Sequence, residues 1–414
     1  MACGMKKLVC YLLAALLLGA CSQPKQMLTI SVSNDLPINR QGELVELSME
    51  QVSKQLQLKE TDDLVLTDAD GNELPYQLTY DEKLLFVADV QASSAAYYTL
   101  RPGTPTVQQS VIACGRQYPE RLDDMAWEND KVGFRAYGPA LQVRGERGYG
   151  YDLFPKRGTS EPVLETLYAE ELDSLRWVKY RELAAQDKAK EYLTTFSCHW
   201  DHGYGMDCYA VGSTLGGGVA ALLEGEEIVY SWCYDTYEIL DNGPLRFSVR
   251  LTFKPMTVGS DTAVVERRLI TLDAGSHLNR TVVTYEGLTE QHPIVAGFAL
   301  HNAEPVVVAD QQAGYITYVD PTTGPDQGEI YAGAAFPVRL QKAGTVLFTP
   351  EERKQHSNAY GHLLGEGIYE PDGQFLYYWG FGWSRSDIQD AAAWNAYMQE
   401  FTQKMNHPLQ VNVK

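Results

Sequence analysis

The sequence lacks an excess of positive charge: its 414 residues include 54 acidic and 34 basic side chains, which gives a formal net charge of −20 at pH 7. Nonspecific binding to nucleic acids or to anionic lipids needs a positive field, so this balance excludes both as bulk partners. A short acidic sugar is still allowed, because a local arginine pocket can exist on an acidic protein.

The start of the chain lacks an apolar run long enough to cross a bilayer. The run Leu8–Leu18 is well short of the roughly 20 residues that a transmembrane helix needs. It follows two lysines and ends in Leu18-Gly19-Ala20-Cys21, the order of a bacterial lipoprotein signal peptide. We therefore predict that residues 1–21 are a signal peptide with a lipidated Cys21. The lipid is expected to anchor the chain in the cell envelope, at the outer membrane.

Several catalytic fingerprints are also missing. The sequence contains no Gly-x-Ser-x-Gly elbow, phosphate loop or dinucleotide-binding motif, and Gly216-Gly217-Gly218 lacks the required spacing. Two histidines and two aspartates near residue 200 match no standard zinc spacing. We therefore predict neither a cofactor nor a metal.

What the sequence does contain is a β texture. Short runs rich in Val, Leu, Ile, Tyr and Thr alternate with turn residues, which predicts a mainly β protein. Such runs in residues 27–105 predict a small N-terminal β-domain, and longer spans of them in residues 106–414 predict a large β-sandwich. Helix formers in residues 182–196 predict helices that decorate the sheets.

A terminal helix is predicted from Ser386-Asp387 to Pro408. Its apolar residues fall at alternating steps of three and four along one face, which is typical of structural packing. These residues are Ala391, Trp394, Met398, Phe401 and Met405.

The densest polar and aromatic cluster is Cys198–Tyr209, which holds two histidines, two aspartates and two tyrosines in twelve residues. Histidine side chains titrate near neutral pH and a phenol can exchange a proton, so we predict His202 or Tyr204 as a general acid or base. The alternative is a hydrogen-bonded structural turn with a disulfide between Cys198 and Cys208.

A second cluster lies in residues 132–137. If this segment is a strand, Arg135 and Tyr137 share one face, where a guanidinium and a phenol suit a carboxylated sugar. The alternative is a solvated strand face, which alternation alone also predicts.

The remaining candidates are rings with polar edges, carboxylates and lone histidines. Aromatic strands are also ordinary β-core material, and lone histidines are more often structural. As substrate-binding residues we predict Trp127, Glu128, Asp207, Tyr209, Trp232, His362, Trp379 and Trp383.

Four segments resemble a Bacteroidetes family of secreted lipoproteins labelled domain of unknown function 4861. They are Trp127-Glu128-Asn129-Asp130 with Tyr137-Gly138, Asp201-His202-Gly203 with Asp207, Asp241-Asn242-Gly243-Pro244-Leu245-Arg246, and Leu272-Asp273-Ala274-Gly275-Ser276 with Leu278-Asn279. The resemblance implies a galactose-mutarotase-like β-supersandwich in a companion of pectin- and ulvan-degrading enzymes from polysaccharide-utilisation clusters. It also implies elimination of water from the end of an acidic oligosaccharide, which leaves an unsaturated uronate.

The implied chemistry gives roles to the clusters. Removing the proton next to a uronate carboxylate builds negative charge on that carboxylate, so a base must act beside a cation or strong donors. We predict Arg135 as the cation, His202 or Tyr204 as the base, and Tyr137, His301 or His362 as the acid. The expected activity is that of a carbon–oxygen lyase, either a hydro-lyase or a polysaccharide lyase. The alternatives are a noncatalytic surface glycan-binding lipoprotein and a sugar epimerase or mutarotase.

Overall fold

A computed structural model describes residues 26–59, 62–107, 110–159, 161–322 and 325–414. The predicted signal peptide and Cys21 lie outside the described residues. None of the described helices combines the length and the apolar character that crossing a membrane requires.

The described chain is mainly β. The strands of its first half are Leu28–Asn34 (β1), Arg40–Ser48 (β2), Leu64–Thr67 (β3), Glu73–Leu74 (β4), Tyr76–Leu78 (β5), Lys83–Val90 (β6), Ser94–Pro102 (β7), Cys114–Tyr118 (β8), Asp124–Glu128 (β9), Val132–Ala136 (β10) and Tyr151–Pro155 (β11). Those of the second half are Gly217–Glu224 (β12), Glu227–Val229 (β13), Thr236–Asn242 (β14), Arg246–Thr252 (β15), Met256–Val258 (β16), Asp261–Asp273 (β17), Leu278–Glu286 (β18), His292–Leu300 (β19), Val306–Asp310 (β20), Tyr315–Pro321 (β21), Glu329–Ala335 (β22), Lys342–Leu347 (β23), Gly361–Tyr369 (β24), Phe375–Trp383 (β25) and Gln410–Val413 (β26). The helices are Met49–Leu56 (α1), Pro139–Val143 (α2), Leu164–Leu172 (α3), Ser174–Ala184 (α4), Ala189–Phe196 (α5), Pro350–Gln355 (α6) and Ala391–Asn406 (α7).

The N-terminal part contains a five-stranded sheet in the order β26-β1-β7-β3-β4 and a three-stranded sheet in the order β2-β6-β5. Alternation along β1 turns Leu28, Ile30 and Val32 inward, as a strand with one covered face requires. They share a hydrophobic core with residues of β2, β6 and α1.

The last strand of the chain belongs to this N-terminal sheet. β26 pairs antiparallel with β1, with Ile30 opposite Val413 and Ser33 opposite Gln410. The predicted domain boundaries assign residues 410–413 to the large sandwich, whereas their backbone hydrogen bonds join them to β1 in the N-terminal sheet.

Two further sheets form the large sandwich. One has the order β14-β15-β17-β18-β25-β22-β21-β20, with β16 beside β17, and the other has the order β13-β12-β19-β24-β23. Residues from both sheets contribute to one continuous apolar core, so the sheets pack face to face. The predicted mainly β fold with a large sandwich and a C-terminal helix is confirmed.

The helices lie outside this core. Strands β8 to β11 form a four-stranded sheet in the order β11-β10-β9-β8. An insertion between β11 and β12 contains the helices α3, α4 and α5. α7 packs its apolar stripe, including Trp394 and Met398, against β21 and β22. Its start was predicted at Ser386-Asp387, but the helix begins after Asp390, whose side chain accepts a hydrogen bond from the Ala393 N–H at 2.8 Å.

Candidate functional site

A buried charge network joins β10 and β11, where Arg135 lies opposite Asp152 in the strand register. Arg135 Nη2 donates hydrogen bonds to Asp152 and, at 3.2 Å, to Asp207 Oδ2. Asp124 lies 3.7 Å from Arg135 Nη1 as an ion pair. A buried guanidinium needs nearby negative charge, and these carboxylates supply it. The cation predicted to bind substrate is therefore already compensated by the protein.

Tyr137 connects this network to solvent. Its hydroxyl lies 3.5 Å from Arg135 Nη2 and donates to Asp152 Oδ2 at 3.2 Å, while the side chain remains half-buried. Burial raises the pKa of Tyr137 well above its usual value, so the phenol keeps its proton. Burial also raises the pKa of Asp152 to about 7, although Arg135 opposes the shift. The phenol therefore adjoins a carboxyl group whose burial opposes ionisation and whose ion pair with Arg135 favours it.

A histidine–aspartate pair lies at the ends of β19 and β21. His301 Nδ1 is 2.6 Å from Asp320 Oδ2, and Nε2 is 2.7 Å from the Ala210 carbonyl oxygen. A carboxylate and a carbonyl oxygen both accept, so both ring nitrogens donate and the imidazole is a cation. Burial by itself would lower the pKa of His301, but Asp320 outweighs that effect and the pKa is raised.

The segment from Asp207 to Ala210 connects the two groups. Asp207 contacts Arg135, and the carbonyl of Ala210 contacts His301. Three residue steps span at most roughly 10 Å, which limits the separation of the two groups. Cys208 belongs to this segment. Burial raises the pKa of its thiol, and nearby carboxylates add to the shift: those of Asp207, Asp320 and Asp152. The two groups therefore flank the same short segment.

Three side chains of these two groups combine partial exposure with burial of most of their surface. Tyr137, Cys208 and His301 all retain some solvent-exposed surface. Burial nevertheless raises the pKa values of Tyr137 and Cys208 well above their usual values. Each of these side chains thus reaches solvent while protein surrounds most of it. We name the group formed by Arg135, Tyr137, Asp152, Asp207, Cys208, His301 and Asp320 the recess.

The predicted residue Trp232 lies beside the recess. Its half-exposed indole donates from Nε1 to the Glu146 carbonyl oxygen at 2.9 Å. The same loop brings the backbone of Gly148 against the ring of Tyr137, where an added Cβ would lie 2.8 Å from Cδ2. Trp232 is therefore attached to the loop that covers one side of Tyr137.

His202 and Tyr204, the predicted bases, make contacts outside the recess. His202 Nε2 is 2.9 Å from the Ser197 carbonyl oxygen, and Tyr204 donates to Glu170 of α3. Tyr204 also packs against the small core beneath α3. Hydrogen bonding brings Arg135, Tyr137 and Asp207 together, but it directs the side chains of His202 and Tyr204 elsewhere.

Three predicted tryptophans belong to the interior. Trp127 and Trp379 are fully buried, and their indole N–H groups donate to Asn279 and Thr281, each at 2.8 Å. Trp383 is 1% exposed and donates to the Gln327 carbonyl oxygen. The prediction that they stack on sugars is wrong for this structure, because their ring faces pack against other protein groups.

Tyr209 and His362 are also interior residues. The Tyr209 hydroxyl donates to the Gly216 carbonyl oxygen at 3.0 Å, and its ring edge meets His301 with centroids 5.1 Å apart. His362 accepts the Leu215 N–H at Nε2, and burial lowers its pKa to about 3. A histidine that stays neutral and buried has no proton to give to a leaving group, so its predicted catalytic and binding roles are wrong.

Glu128 has a structural role. Lys156 Nζ donates to Glu128 Oε2 at 2.7 Å, and both side chains are buried. The carboxylate also accepts the backbone N–H groups of Val163 and Leu164 at the start of α3. These contacts occupy Glu128, which is therefore not available to a substrate.

The cysteines and the acidic residues form neither a disulfide nor a metal site in the described ranges. Cys114, Cys198, Cys208 and Cys233 are free thiols, so the alternative of a Cys198–Cys208 disulfide is wrong. No described group of three or more histidine, cysteine, aspartate or glutamate side chains is arranged to hold a metal ion.

Sequence reasoning missed Asp152 and Asp320. Each lies in an otherwise apolar strand, within Tyr-Asp-Leu-Phe-Pro and Tyr-Ile-Thr-Tyr-Val-Asp-Pro. A single carboxylate in a buried strand is expensive unless it has a partner, so the isolated charge was the available signal.

Comparison with known proteins adds a family match. The model of a family described as "Domain of unknown function (DUF4861)" matches residues 32–411. An uncharacterized protein P7 from Formosa agariphila is 28% identical over 418 residues, covering 98% of both chains. An alpha-mannosidase from Enterococcus faecalis V583 matches with a TM-score of 0.47 and 9% identity, over 94% of this chain and 46% of that one. A glycosyl hydrolase family 38 protein from Enterococcus faecalis matches with a TM-score of 0.47 and 8% identity, over 95% and 48%. This chain thus spans about half the length of those two solved proteins.

Proposed function

This chain belongs to the DUF4861 family, and we propose that it is a carbohydrate-active eliminase acting on uronate-containing oligosaccharides. It removes the proton next to the uronate carboxylate and expels the substituent on the neighbouring carbon. The product carries an unsaturated uronate at one end. No cofactor takes part in this scheme.

One observation carries the proposal: the segment 207–210 joins a phenol–carboxylate–guanidinium network to a histidine–aspartate pair in a single recess. Elimination beside a carboxylate needs a proton acceptor, a proton donor and positive charge at the developing enolate. His301 and Tyr137 are the candidates for the acceptor and the donor, and Tyr137 lies 3.5 Å from the guanidinium of Arg135.

His301 is the proposed base. In its neutral form, with Nδ1–H held by Asp320 and with Nε2 released from the Ala210 carbonyl oxygen, it takes the proton from the carbon next to the carboxylate. The imidazolium that results is the doubly donating form seen here, with Asp320 and the Ala210 carbonyl oxygen as acceptors. The electron pair of the broken C–H bond becomes the new C=C bond.

Tyr137 is the proposed acid. Its protonated hydroxyl gives a proton to the leaving oxygen as the C–O bond breaks, and water or an alcohol departs. The half-exposed phenol then regains its proton from solvent, while Asp152 continues to accept its hydrogen bond. Arg135 positions the phenol, because its Nη2 lies 3.5 Å from the Tyr137 hydroxyl and donates to the same Asp152 carboxylate that accepts from Tyr137.

The test incubates the purified chain with a panel of uronate-containing oligosaccharides and follows the absorbance of the conjugated enol-uronate and the product masses. Tyr137→Phe is expected to lower kcat by about 10²–10⁴-fold, the usual contribution of a general acid. Tyr204→Phe is the matched control, because it removes a phenol hydroxyl that bonds Glu170 outside the recess. His202→Ala is a second control and is expected to retain activity.

Other outcomes would change the conclusion. Oligosaccharide binding without any change of mass would favour a glycan-binding lipoprotein, and a product of unchanged mass with altered configuration would favour an epimerase or mutarotase. Full activity of Tyr137→Phe would contradict the proposed acid.

We further propose that a lipid on Cys21 holds the protein in the cell envelope, at the outer membrane, where acidic oligosaccharides and other polysaccharide-utilisation proteins are its partners.

A further inference from the structure

We propose a second anion site at Arg157 and Arg385, which binds an oxyanion of an acidic oligosaccharide, carried as a carboxylate or a sulfate ester. Both guanidinium groups lie beside one carboxylate: Asp201 Oδ2 is 2.6 Å from Arg157 Nη2 and 3.4 Å from Arg385 Nη1. The other oxygen of Asp201 accepts the backbone N–H groups of Gly203 and Gly205. The carboxylate is thus occupied by protein donors on both oxygens.

The charges at this pair do not balance. Two guanidinium cations share a single buried carboxylate, which leaves one positive charge uncompensated by that contact. Arg157 and Arg385 remain 36% and 34% exposed at their side chains, so an anion from solvent can reach them. Guanidinium groups bind carboxylate and sulfate oxygens through paired N–H donors. A local positive site favours anionic sugars over neutral ones, even on a chain whose net charge is −20.

The two side chains are held in place from below. Their guanidinium carbons lie 5.4 and 5.8 Å from the ring centroid of Trp383, which is buried. Arg157 Nη1 donates to the Arg385 carbonyl oxygen at 3.3 Å, and Arg385 Nη1 donates to the Asp326 carbonyl oxygen at 3.0 Å. Such fixed planes lose less side-chain entropy on binding than free arginines would.

The position of the pair relates it to the recess. Asp152 is in the recess near the start of β11, and Arg157 follows the end of that strand. Five residues at about 3.3 Å each place them roughly 16 Å apart along the chain. A single sugar in the recess cannot reach the arginines over that distance, whereas an oligomer can. This inference rests on the proposed function for the identity of the ligand as an acidic oligosaccharide.

The test measures binding by calorimetry, with Tyr137→Phe as the background so that no substrate is consumed. The probes are a galacturonate oligomer, galacturonate monomer, a sulfated galactan oligomer and a neutral galactan oligomer. Adding Arg385→Gln is expected to weaken oligomer binding by roughly tenfold or more, the usual effect of losing a charge-assisted hydrogen-bonding group. Asp201 keeps its 2.6 Å contact with Arg157 in this variant, which protects the fold.

Arg250→Gln is the matched control, because Arg250 is 38% exposed and also pairs with one carboxylate, that of Glu238. It is expected to leave binding unchanged. Loss of affinity for only one of the two acidic oligomers identifies which oxyanion is recognised. Equal affinities of the Arg385→Gln and control variants for both acidic oligomers would overturn the site. Elimination by Tyr137→Phe would contradict the proposed acid, whereas unweakened oligomer binding by the Arg385→Gln variant would overturn the arginine site, so the two failures are distinguishable.

Discussion

The buried ion pair between Lys156 and Glu128 leads to a sharp prediction about stability. The side chains are 1% and 3% exposed, and Lys156 Nζ also donates to the Asn129 carbonyl oxygen at 2.7 Å. Lys156→Met keeps the apolar length of the side chain but removes its charge. Glu128 would then remain buried as a carboxylate, with only the backbone N–H groups of Val163 and Leu164 as partners.

The expected loss is about 3–5 kcal/mol of unfolding free energy, since removing one partner leaves an uncompensated buried charge. Equilibrium urea unfolding, followed by tryptophan fluorescence, measures it. Lys131→Met is the matched control: its 2.7 Å pair with Asp387 is partly exposed, at 28% and 39%. An exposed pair contributes about 0–1 kcal/mol, so the control is expected to change little.

A double variant separates charge burial from lost packing. Lys156→Met with Glu128→Gln removes both buried charges while keeping an oxygen for the two N–H groups, so it is expected to be more stable than Lys156→Met alone. If Lys156→Met lost no more than the Lys131→Met control, Glu128 would not be the buried structural anchor of α3 described above. Its predicted role in substrate binding would then regain support.

Three further predictions concern other contacts. Asp320 raises the pKa of His301, so their ion pair adds stability that is full below the ordinary histidine pKa of 6.5 and is lost as pH rises through the raised value. The difference in unfolding free energy between wild type and His301→Gln should therefore shrink toward alkaline pH. A difference that stays constant with pH would contradict the pairing. Asn279→Ala leaves the buried Trp127 N–H without its acceptor and should cost about 1–3 kcal/mol in urea unfolding; an unchanged midpoint would mean that the bond contributes nothing. Deleting residues 410–414 removes β26 and should speed amide hydrogen exchange in β1, whereas unchanged exchange would show that the strand pairing is dispensable.

Local patterns predicted one half of the recess well. The alternation in residues 132–137 placed Arg135 and Tyr137 on one strand face, and the structure brings Tyr137 Oη to 3.5 Å from Arg135 Nη2. Period-two geometry is a property of the strand itself, so it needs no knowledge of the rest of the fold. The same pattern could not show that four carboxylates surround Arg135, because all four come from other elements. They are Asp124, Asp152, Glu171 and Asp207.

Aromatic residues were the main source of error. A tryptophan in a strand gives the same local signal whether its face is covered by a second sheet or open to a sugar. Trp127 on β9 and Trp379 on β25 are covered because their two sheets share one apolar core, in which the ring centroids lie 6.5 Å apart. Trp232 lies outside the regular strands and stays half-exposed. Only long-range packing separates these cases.

The pairing of β26 with β1 has a consequence for how this protein is made. β1 is synthesised long before residues 410–413, so the five-stranded sheet cannot be completed until nearly all of the described chain has been made. Until then, one edge of β1 has no strand partner on that side, and unpaired edges invite association with other chains. A chaperone that shields this edge during synthesis would therefore act on β1, the first described strand to be made, whose second neighbour is made last.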